Sequence, residues 1–508
     1  MEFTRRGCRY LKHTADVMEE FRLAKKNGRL EETATKVFLE YNADMKTLWC
    51  CRQYVYELSE EYLKKYPTMR TILALLEAMA GRLENAQAVI RVLGETPKEL
   101  NPSELTPLDF SRLMCELILP QYDNSEFSRR AIFLAKCLSQ PVMGLALTAC
   151  RPSVINGFRD MTEFCPKLEE KQDEYCHFID LIYGSSGKGV YDVALAEWKY
   201  ETGDDFKALM LLAETIPTLE DCEDIRCLFA AYMLQMRILI FGGQTKISHE
   251  IFDKMREKIG DKYYDELEDS LNAAECLYYC YEGNQEEIKD WLEHKAPDEN
   301  GDIFMMDMYC YLVKMRCYLQ TGKYMLTLIL AKKMTNYLEQ SFRPHDMCEC
   351  YMLAAMACLK AGDKDSALEE FEHALEIGKK YRYVRVFADE GQMALELLNL
   401  MREKYKKVSA AGHEYSEEWL KQIKSIALMV ANRYSDYLKT EQEEYAMLSK
   451  TEKQIIVMMA SGLKNDDIAY QLGVKLRTVK FHVSNIFEKL RVQNRQQAIN
   501  RAREIGYL

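Results

Sequence analysis

The stretch that decides the fold is YMLAAMACLKAGDKDSALEEFEHALEIG, residues 351–378. Aromatic, small and aliphatic residues recur at helical spacing on both sides of Gly362, and Ala367 stands five positions after that glycine. A glycine supplies the left-handed backbone conformation that ends one helix, and a small residue early in the next helix lets the two approach closely. The stretch therefore predicts a helical hairpin.

The same pattern recurs through the middle of the chain. Five glycines follow one another at intervals of 39 or 40 residues, and the residue five positions after each is in most copies small or β-branched. The glycines are Gly203, Gly243, Gly283, Gly322 and Gly362, and the residues after them are Ala208, Ser248, Ile288, Thr327 and Ala367. This regularity predicts stacked helical hairpins, so we expect an all-α superhelix.

The best copy resembles a tetratricopeptide repeat. Its pitch of about 40 exceeds the usual ~34 residues, which implies longer helices or longer linkers. An earlier copy places Ala86 five positions after Gly81. Eight of the eleven prolines lie between Pro67 and Pro166, which predicts helices joined by irregular loops in that region.

Composition is that of a globular protein, with 48% hydrophobic and 29% charged residues. The first residues carry no apolar signal region, and no apolar run approaches the ~20 residues of a membrane span. The 17 cysteines show no paired CxxC frame. We therefore expect a cytoplasmic protein with reduced thiols, no disulfides and no membrane partner.

Charge divides the chain into two parts. Residues 447–508 carry eleven Lys or Arg against five Asp or Glu, a balance of +6. Since the whole chain has a formal net charge of −12, residues 1–446 carry −18. A basic end suits a polyanion and an acidic remainder would repel one, so the two parts should have different partners.

The basic end predicts short helices. Ser449 and Glu452 form a capping box pattern, Asn465 can cap a second helix, and Gly473 can end it. A third helix follows, with one apolar face expected to pack on the second helix: Val479, Val483, Ile486 and Leu490 should face Ile468, Ala469 and Leu472. Its outer face is cationic and polar, which is typical of a helix-turn-helix, although charge alone would equally fit a solvated surface.

From Leu448 onward the chain resembles a LuxR-type (GerE-like) DNA-binding domain. The residues that match are Leu448, Glu452, Gly462, Asn465, Ile468, Ala469, Leu472, Thr478, Val479, Lys480, His482, Asn485, Lys489, Leu490 and Val492. The resemblance implies a four-helix domain on double-stranded DNA, with a final helix that pairs two copies into a homodimer. Lys464 and Lys475 depart from the family, which prefers Ser there.

The resemblance also implies roles for individual residues. It places Lys480, Phe481 and Ser484 towards the bases. It places Thr478, Asn485 and Lys489 nearer the DNA backbone. We expect four more residues to face the backbone: Lys464, Asn465, Arg477 and His482. Phe481 could pack on a thymine methyl or take part in a dimer contact.

The acidic part resembles, more loosely, the helical-repeat sensor region of large MalT-like transcription activators, over most of residues 40–400. In that group an ATPase module precedes the repeats, and we expect none in this chain. The segment YGSSGKGVYD, residues 183–192, lacks the first glycine and the final Ser or Thr of a phosphate-binding loop, so we expect a simple loop.

Catalytic and metal motifs are weak. His345, Cys348 and Cys350 lie close in sequence and form a weak candidate metal cluster within a loop, without an evident fourth ligand. No nucleophile elbow, zinc-protease pair or dinucleotide turn is present in the sequence. We expect no cofactor and no enzymatic activity.

These patterns predict four parts. Residues 1–185 form irregular helical repeats, 186–408 regular repeats, 409–446 a capping helix and linker, and 447–508 the helix-turn-helix domain. We expect a bacterial-type transcriptional regulator whose repeats bind a small molecule, peptide or protein and modulate DNA binding. The alternative is a scaffold or adaptor that sequesters another regulator, with the tail as a minor DNA anchor.

Overall fold

A computed structural model describes residues 13–40, 45–94, 106, 109, 124–138, 147–407, 415–435, 437–438, 448–490, 492 and 494–504. Every regular element within these residues is a helix, which confirms the expected all-α class. Parts of the expected capping helix and linker, residues 409–414, 436 and 439–446, lie outside the described residues. Among the described residues, no helix is both long and apolar enough to cross a membrane.

The first helices do not form a regular array. They are α1 (Thr14–Lys26), α2 (Leu30–Ala34, continued by a π-helical turn Thr35–Glu40), α3 (Met45–Cys50), α4 (Arg52–Val55), α5 (Glu60–Lys65), α6 (Pro67–Met79), α7 (Leu83–Leu93) and α8 (Asn124–Leu138). Helix α3 and its surroundings pack against later parts of the chain: the Trp49 and Phe304 rings stack with centroids 4.7 Å apart. The N-terminal helices therefore dock onto the repeats.

The regular repeats follow two further helical segments, α9 (Gln172–Tyr183) and the 3-10 turn Gly184–Gly187. The repeat helices are α10 (Val190–Glu201), α11 (Asp205–Glu220), α12 (Arg226–Gly242), α13 (Thr245–Glu282), α14 (Gln285–His294), α15 (Met308–Gln320), α16 (Tyr324–Leu338), α17 (Pro344–Lys360) and α18 (Lys364–Tyr381). Helix α13 is two helices merged across a break at Gly260, where φ is 45° and ψ is −163°. Five hairpins result.

Each predicted hairpin turn has the expected geometry. All five spaced glycines have positive φ, between 73° and 86°, a conformation that only glycine adopts without strain. At Gly362 the amides of Gly362 and Asp363 donate to carbonyls of the preceding helix, and Asp363 then caps the next one by accepting from the Ser366 amide at 3.1 Å. The five residues after the glycines are completely buried, which confirms that they let the helices approach closely.

A last group of helices closes the repeats. It consists of α19 (Arg385–Ala388), α20 (Gln392–Lys407) and α21 (Glu417–Arg433). Helix α21 lies along the turns of the repeats, because Gln422 donates to the Thr202 carbonyl at 2.8 Å and Arg433 donates to the Phe241 carbonyl. The segment after α21 therefore starts from a fixed position on the repeats.

The C-terminal residues form a small domain with its own core. Its helices are α22 (Lys450–Ala460), α23 (Asn465–Leu472), α24 (Leu476–Lys489) and α25 (Arg495–Glu504), as the resemblance implied. The core is a set of aliphatic side chains separate from the core of the repeats: Leu448, Ile455, Ile456, Met459, Ile468, Ala469, Val479, Ile486, Leu490, Ala498, Ile499 and Ala502. Removing each larger aliphatic side chain from water contributes about 1.5–3 kcal/mol.

Candidate nucleic-acid interface and interior cavity

Helix α24 separates apolar from polar side chains around its axis. Val479 and Ile486 have no exposed surface and Leu490 is 2% exposed, while Val483 is partly buried in the same core. The predicted inward face is therefore confirmed. Because the helix is anchored along this one side, its other side is presented to solvent in a fixed orientation.

The outward side of α24, which we call the recognition face, consists of Arg477, Thr478, Lys480, Phe481 and Ser484, all exposed. Phe481 is 62% exposed, unusual for a phenylalanine in a domain with a packed core. A guanidinium, an ammonium and two hydroxyl groups are able to neutralise phosphates and reach base edges. The face therefore carries the kinds of group that DNA-binding surfaces use.

The flank of the recognition face is half-buried. His482 and Asn485 are both partly covered, and the His482 ring meets the Phe481 ring edge-on, with centroids 5.8 Å apart. The Nδ1 atom of His482 is buried and has no hydrogen-bond partner within the described part of the chain. His482 thus retains one unused polar atom next to the exposed aromatic ring.

The start of α23 differs from the prediction. Asn465 is the first helical residue and not the N-cap, which is Lys464, and the Asp467 carboxylate accepts the Lys464 amide at 3.1 Å. A carboxylate in the first turn satisfies the amide and also favours the positive end of the helix, which replaces the missing cap. Lys464 is exposed, while Asn465 is half-buried with its Oδ1 left without a partner among described residues. Gly473 ends α23 with φ 64°, as predicted.

Lys489 occupies a different environment from the one implied by resemblance. Its ammonium lies 2.7 Å from Oε2 of Glu452, whose side chain is only 3% exposed. Glu452 also completes the predicted capping box, since the Ser449 amide donates to it at 2.6 Å and the Ser449 hydroxyl accepts the Glu452 amide. Burial opposes ionisation, but Lys489 and Ser449 hold the pKa of Glu452 below its usual value. The structure thus ties Lys489 to the start of α22.

Two features of the tail were not predicted. Arg495, at the start of α25, donates to the Met459 and Leu463 carbonyls at 2.9 and 2.6 Å. A guanidinium at those carbonyls favours the negative end of α22 and holds α25 in place. Tyr470 on α23 is 89% exposed, so a second large aromatic ring in this domain, besides Phe481, faces solvent. In the sequence, the only sign of this exposed ring is that a large aromatic residue, Tyr470, stands on the otherwise polar side of its helix.

A cavity lies inside the repeats. Its walls come from α10, α12, α13, α15 and α17 together with the loop around residues 151–156, and the space between them, including the open mouth, is about 840 Å³. The lining is mostly aromatic and aliphatic and includes Tyr200, Phe241 and Tyr281. Apolar walls around a few polar groups are typical of small-molecule pockets.

Charged groups line one side of the cavity. Arg237 Nη2 donates to Asp389 at 2.8 Å, and its Nη1 lies 3.7 Å from Glu201 Oε1, beyond hydrogen-bonding distance. His345 Nε2 lies 3.4 Å from the same Glu201 oxygen. Neither His345 nitrogen nor Oε2 of Glu201 has a hydrogen-bond partner among the residues that the structure describes. Although burial opposes ionisation, His345, Arg237 and Arg151 hold the pKa of Glu201 below its usual value.

The expected cluster of His345, Cys348 and Cys350 does not form. These residues belong to helix α17 and not to a loop. Cys348 points to the Ala374 carbonyl and Cys350 to the Ala331 carbonyl, so the two thiols face different neighbouring helices. His345 instead lies with Asp346 and Glu349.

The carboxylates beside His345 are already neutralised by guanidinium groups. Arg151 lies 2.5 Å from Asp346 and 2.9 Å from Glu349, and Arg316 lies 2.7 Å from Glu349. Arg343 forms a further pair with Asp346. A divalent cation would have to displace these buried pairs, so this cluster fits a structural ion network better than a metal site.

Three other thiols meet between α13 and α15. Cys276 and Cys280 lie 3.4 and 3.7 Å from Cys317, sulfur to sulfur, and all three are buried. Burial raises the pKa of the Cys317 thiol well above its usual value. Sequence reasoning did not predict that these three thiols meet, because Cys317 lies on a different helix, 41 and 37 positions from the other two.

Two family models match the chain. Residues 446–502 match the bacterial regulatory proteins of the luxR family, and residues 184–404 match the MalT-like TPR region. The chain thus carries a LuxR-type domain, the DNA-binding domain of transcription regulators, behind a helical-repeat region of MalT type. The extension of the MalT-like resemblance towards residue 40 stays a prediction.

Proposed function

We propose that this chain, which carries a luxR-family domain behind MalT-like repeats, is a transcription regulator whose repeat region binds an effector and thereby alters DNA binding by the tail. The observation that carries the proposal is the recognition face of α24, a cationic and aromatic surface held outward by buried Val479 and Ile486. The activity would be regulatory binding, with no catalytic step.

On DNA, α24 would lie in the major groove. Lys480, Phe481 and Ser484 would face the bases, as exposed donors and an apolar ring. A second set would contact phosphates: Lys464, Asn465, Arg477, Thr478, His482 and Asn485. We leave Lys489 out of this set because its ammonium is paired with Glu452.

Two copies would bind a two-fold site through α25. Gln496, Gln497, Asn500 and Arg503 are exposed along that helix, while its apolar side packs on the domain core. A polar helix surface of this kind suits a small dimer contact formed mainly when DNA aligns the two copies. The homodimer is therefore proposed for the DNA-bound form.

The segment after α21 supplies the physical connection between repeats and tail. Tyr434 donates to the Ile240 carbonyl at 2.8 Å, and the Tyr437 ring lies 4.4 Å from the Tyr281 ring. The Leu438 amide donates to Gln320 Oε1 at 2.7 Å. Since Ile240 and Tyr281 also line the cavity, an occupant that shifts these walls would change how this segment is held.

The proposal is tested by comparing the full chain with residues 445–508 on duplex DNA recovered by co-purification and sequencing. We expect Lys480→Ala to weaken binding in both, and effector binding to change the affinity of the full chain alone. The control is Lys421→Ala, an exposed lysine on α21 outside the tail. Unchanged DNA affinity and unchanged cellular output in Lys480→Ala would contradict the regulator assignment.

A second candidate function is that of an adaptor that sequesters another regulator on the repeats. It is favoured by large apolar side chains exposed on the second helices of the hairpins: Phe206 at 76%, Met210 at 44% and Ile329 at 61%. Exposed apolar surface of this kind marks protein interaction sites. If Phe206→Asp abolished function in cells while Lys480→Ala preserved it, the adaptor would be the better description.

A further inference from the structure

The interior cavity contains unused hydrogen-bonding capacity of two opposite kinds. Glu201, whose side chain is 11% exposed, has an Oε2 without a partner in the described chain. Arg237, whose side chain is 26% exposed, engages Asp389 through Nη2 only. A buried carboxylate oxygen without a donor is costly, which makes a donor from a bound molecule favourable.

The acceptor and the donor lie next to each other. Arg237 Nη1 and Glu201 Oε1 are 3.7 Å apart, too far for a hydrogen bond, so neither satisfies the other. Adjacent groups of a ligand could therefore bond to both at once. His345, 3% exposed and with both ring nitrogens free of hydrogen bonds to described residues, lies 3.4 Å from Glu201 and adds a third polar group.

The balance of charge around the cavity selects against a ligand with net charge. An added cation would face the guanidinium of Arg237, and an added anion would face the carboxylate of Glu201. A molecule with one charge of each sign on neighbouring atoms would meet an opposite charge at each end. The remaining walls are apolar, with Tyr200, among others, in the lining, so an apolar group of a ligand would meet an apolar surface.

We infer that the cavity binds a small zwitterion, an α-amino acid with an apolar side chain, whose ammonium donates to Glu201 and whose carboxylate accepts from Arg237. Its side chain lies against the aromatic walls of α10, α12 and α13. The inference deepens the proposed function and rests on it for its regulatory meaning, while binding itself does not depend on DNA.

The test is isothermal titration calorimetry of the full chain with L-phenylalanine and L-leucine, followed by two analogues. Phenethylamine lacks the carboxylate and 3-phenylpropionate lacks the ammonium. We expect one of the amino acids to bind and each analogue to bind at least about tenfold more weakly, because each lacks one of the two charge-assisted hydrogen bonds. Equal affinity for phenethylamine or 3-phenylpropionate, or no heat from either amino acid, would overturn the inference.

The matched variants are Glu201→Gln and Glu286→Gln. Glu201→Gln should weaken amino-acid binding at least about tenfold, whereas the change at Glu286, exposed on α14 outside the cavity, should leave it unchanged. A thermal melt checks that Glu201→Gln remains folded, and if it does not, the analogue series on the unaltered chain decides the question. Wild-type affinity in a folded Glu201→Gln chain would refute the assignment of the ammonium contact.

Failure of this inference is distinguishable from failure of the proposed function. Amino-acid binding without any change in DNA affinity would support the cavity assignment and contradict the sensor role. A change in DNA affinity caused by another molecule, with no amino-acid binding, would contradict the cavity assignment and support the sensor role.

Discussion

Replacing Lys489 by methionine separates a structural role of this residue from a DNA-binding role. The methionine retains an unbranched apolar stem and removes the ammonium that lies 2.7 Å from Glu452. Glu452 would then keep its charge at 3% exposure, with the Ser449 amide still donating to its carboxylate but no cation beside it among the described residues. We therefore expect the tail domain to become less stable, while the number of DNA phosphates that it contacts is unchanged.

The magnitude follows from the exposure of the two partners. Breaking a fully buried pair costs about 3–5 kcal/mol, whereas an exposed pair contributes about 0–1 kcal/mol. Lys489 is 27% exposed and its partner 3%, so the expected cost lies between these limits, at about 1–2 kcal/mol. Because the pKa of Glu452 is lowered in the folded domain, this contribution is present above its usual value of 4.5 and is lost as pH falls further.

Two measurements check the prediction. Urea unfolding of residues 445–508, which have their own core, gives the free energy of unfolding at neutral and acidic pH. The salt dependence of DNA binding by the full chain reports how many phosphates the protein neutralises, since the log–log slope falls by about 0.9 for every phosphate left without its cation. Lys489→Met should leave this slope unchanged, and the control Arg477→Met should lower it by about 0.9 without affecting stability. A lowered slope with unchanged stability in Lys489→Met would refute the structural role.

Three further predictions concern other parts of the chain. Phe481→Ala should remove about 1 kcal/mol of preference at one base pair without changing the salt slope, measured by competition between operator variants; unchanged preference would exclude a base contact. Ala367→Leu, at a completely buried position, should lower the free energy of unfolding by about 1–3 kcal/mol, whereas Glu369→Leu, at an exposed position, should not. Equal melting temperatures for the two variants would contradict the close packing of the helices. Burial raises the pKa of Glu197 to about 7, so between pH 4.5 and about 7 the folded repeats bind more protons than the unfolded chain. The free energy of unfolding should therefore fall by up to about 3 kcal/mol as pH rises through this range. Thermal melts across pH should show a weaker pH dependence for Glu197→Gln, and an unchanged dependence would mean that another group causes it.

The repeats could be predicted from the sequence because the residues that define each hairpin lie close together in the chain. A glycine turn and the small residue five positions later lie in one hairpin, so the spacing from Gly203 to Gly362 was sufficient to place all five hairpins. The inward side chains of α24, such as Val479, were equally predictable from helical periodicity.

Pairings across long sequence separations could not be predicted in this way. Lys489 and Glu452 are 37 positions apart, and nothing in the composition of α24 distinguishes a lysine that faces DNA from one that faces a buried carboxylate. His345 was expected beside Cys348 and Cys350, but helical geometry turns the thiols towards other helices. The cavity joins Glu201 to His345 from different hairpins, so only the folded chain reveals it.

The Arg151 guanidinium bears on the order in which the chain completes its structure during synthesis. Its carboxylate partners, Asp346 and Glu349, are added 195 and 198 residues later. Until then we expect the guanidinium to remain hydrated, because no carboxylate partner is present to compensate its burial. We expect the hairpins to form one after another as the nascent chain emerges, and the loop around residue 151 to reach its final position only after residue 349 has left the ribosome. A message interrupted before that codon would produce a chain with helices but an unfinished interior.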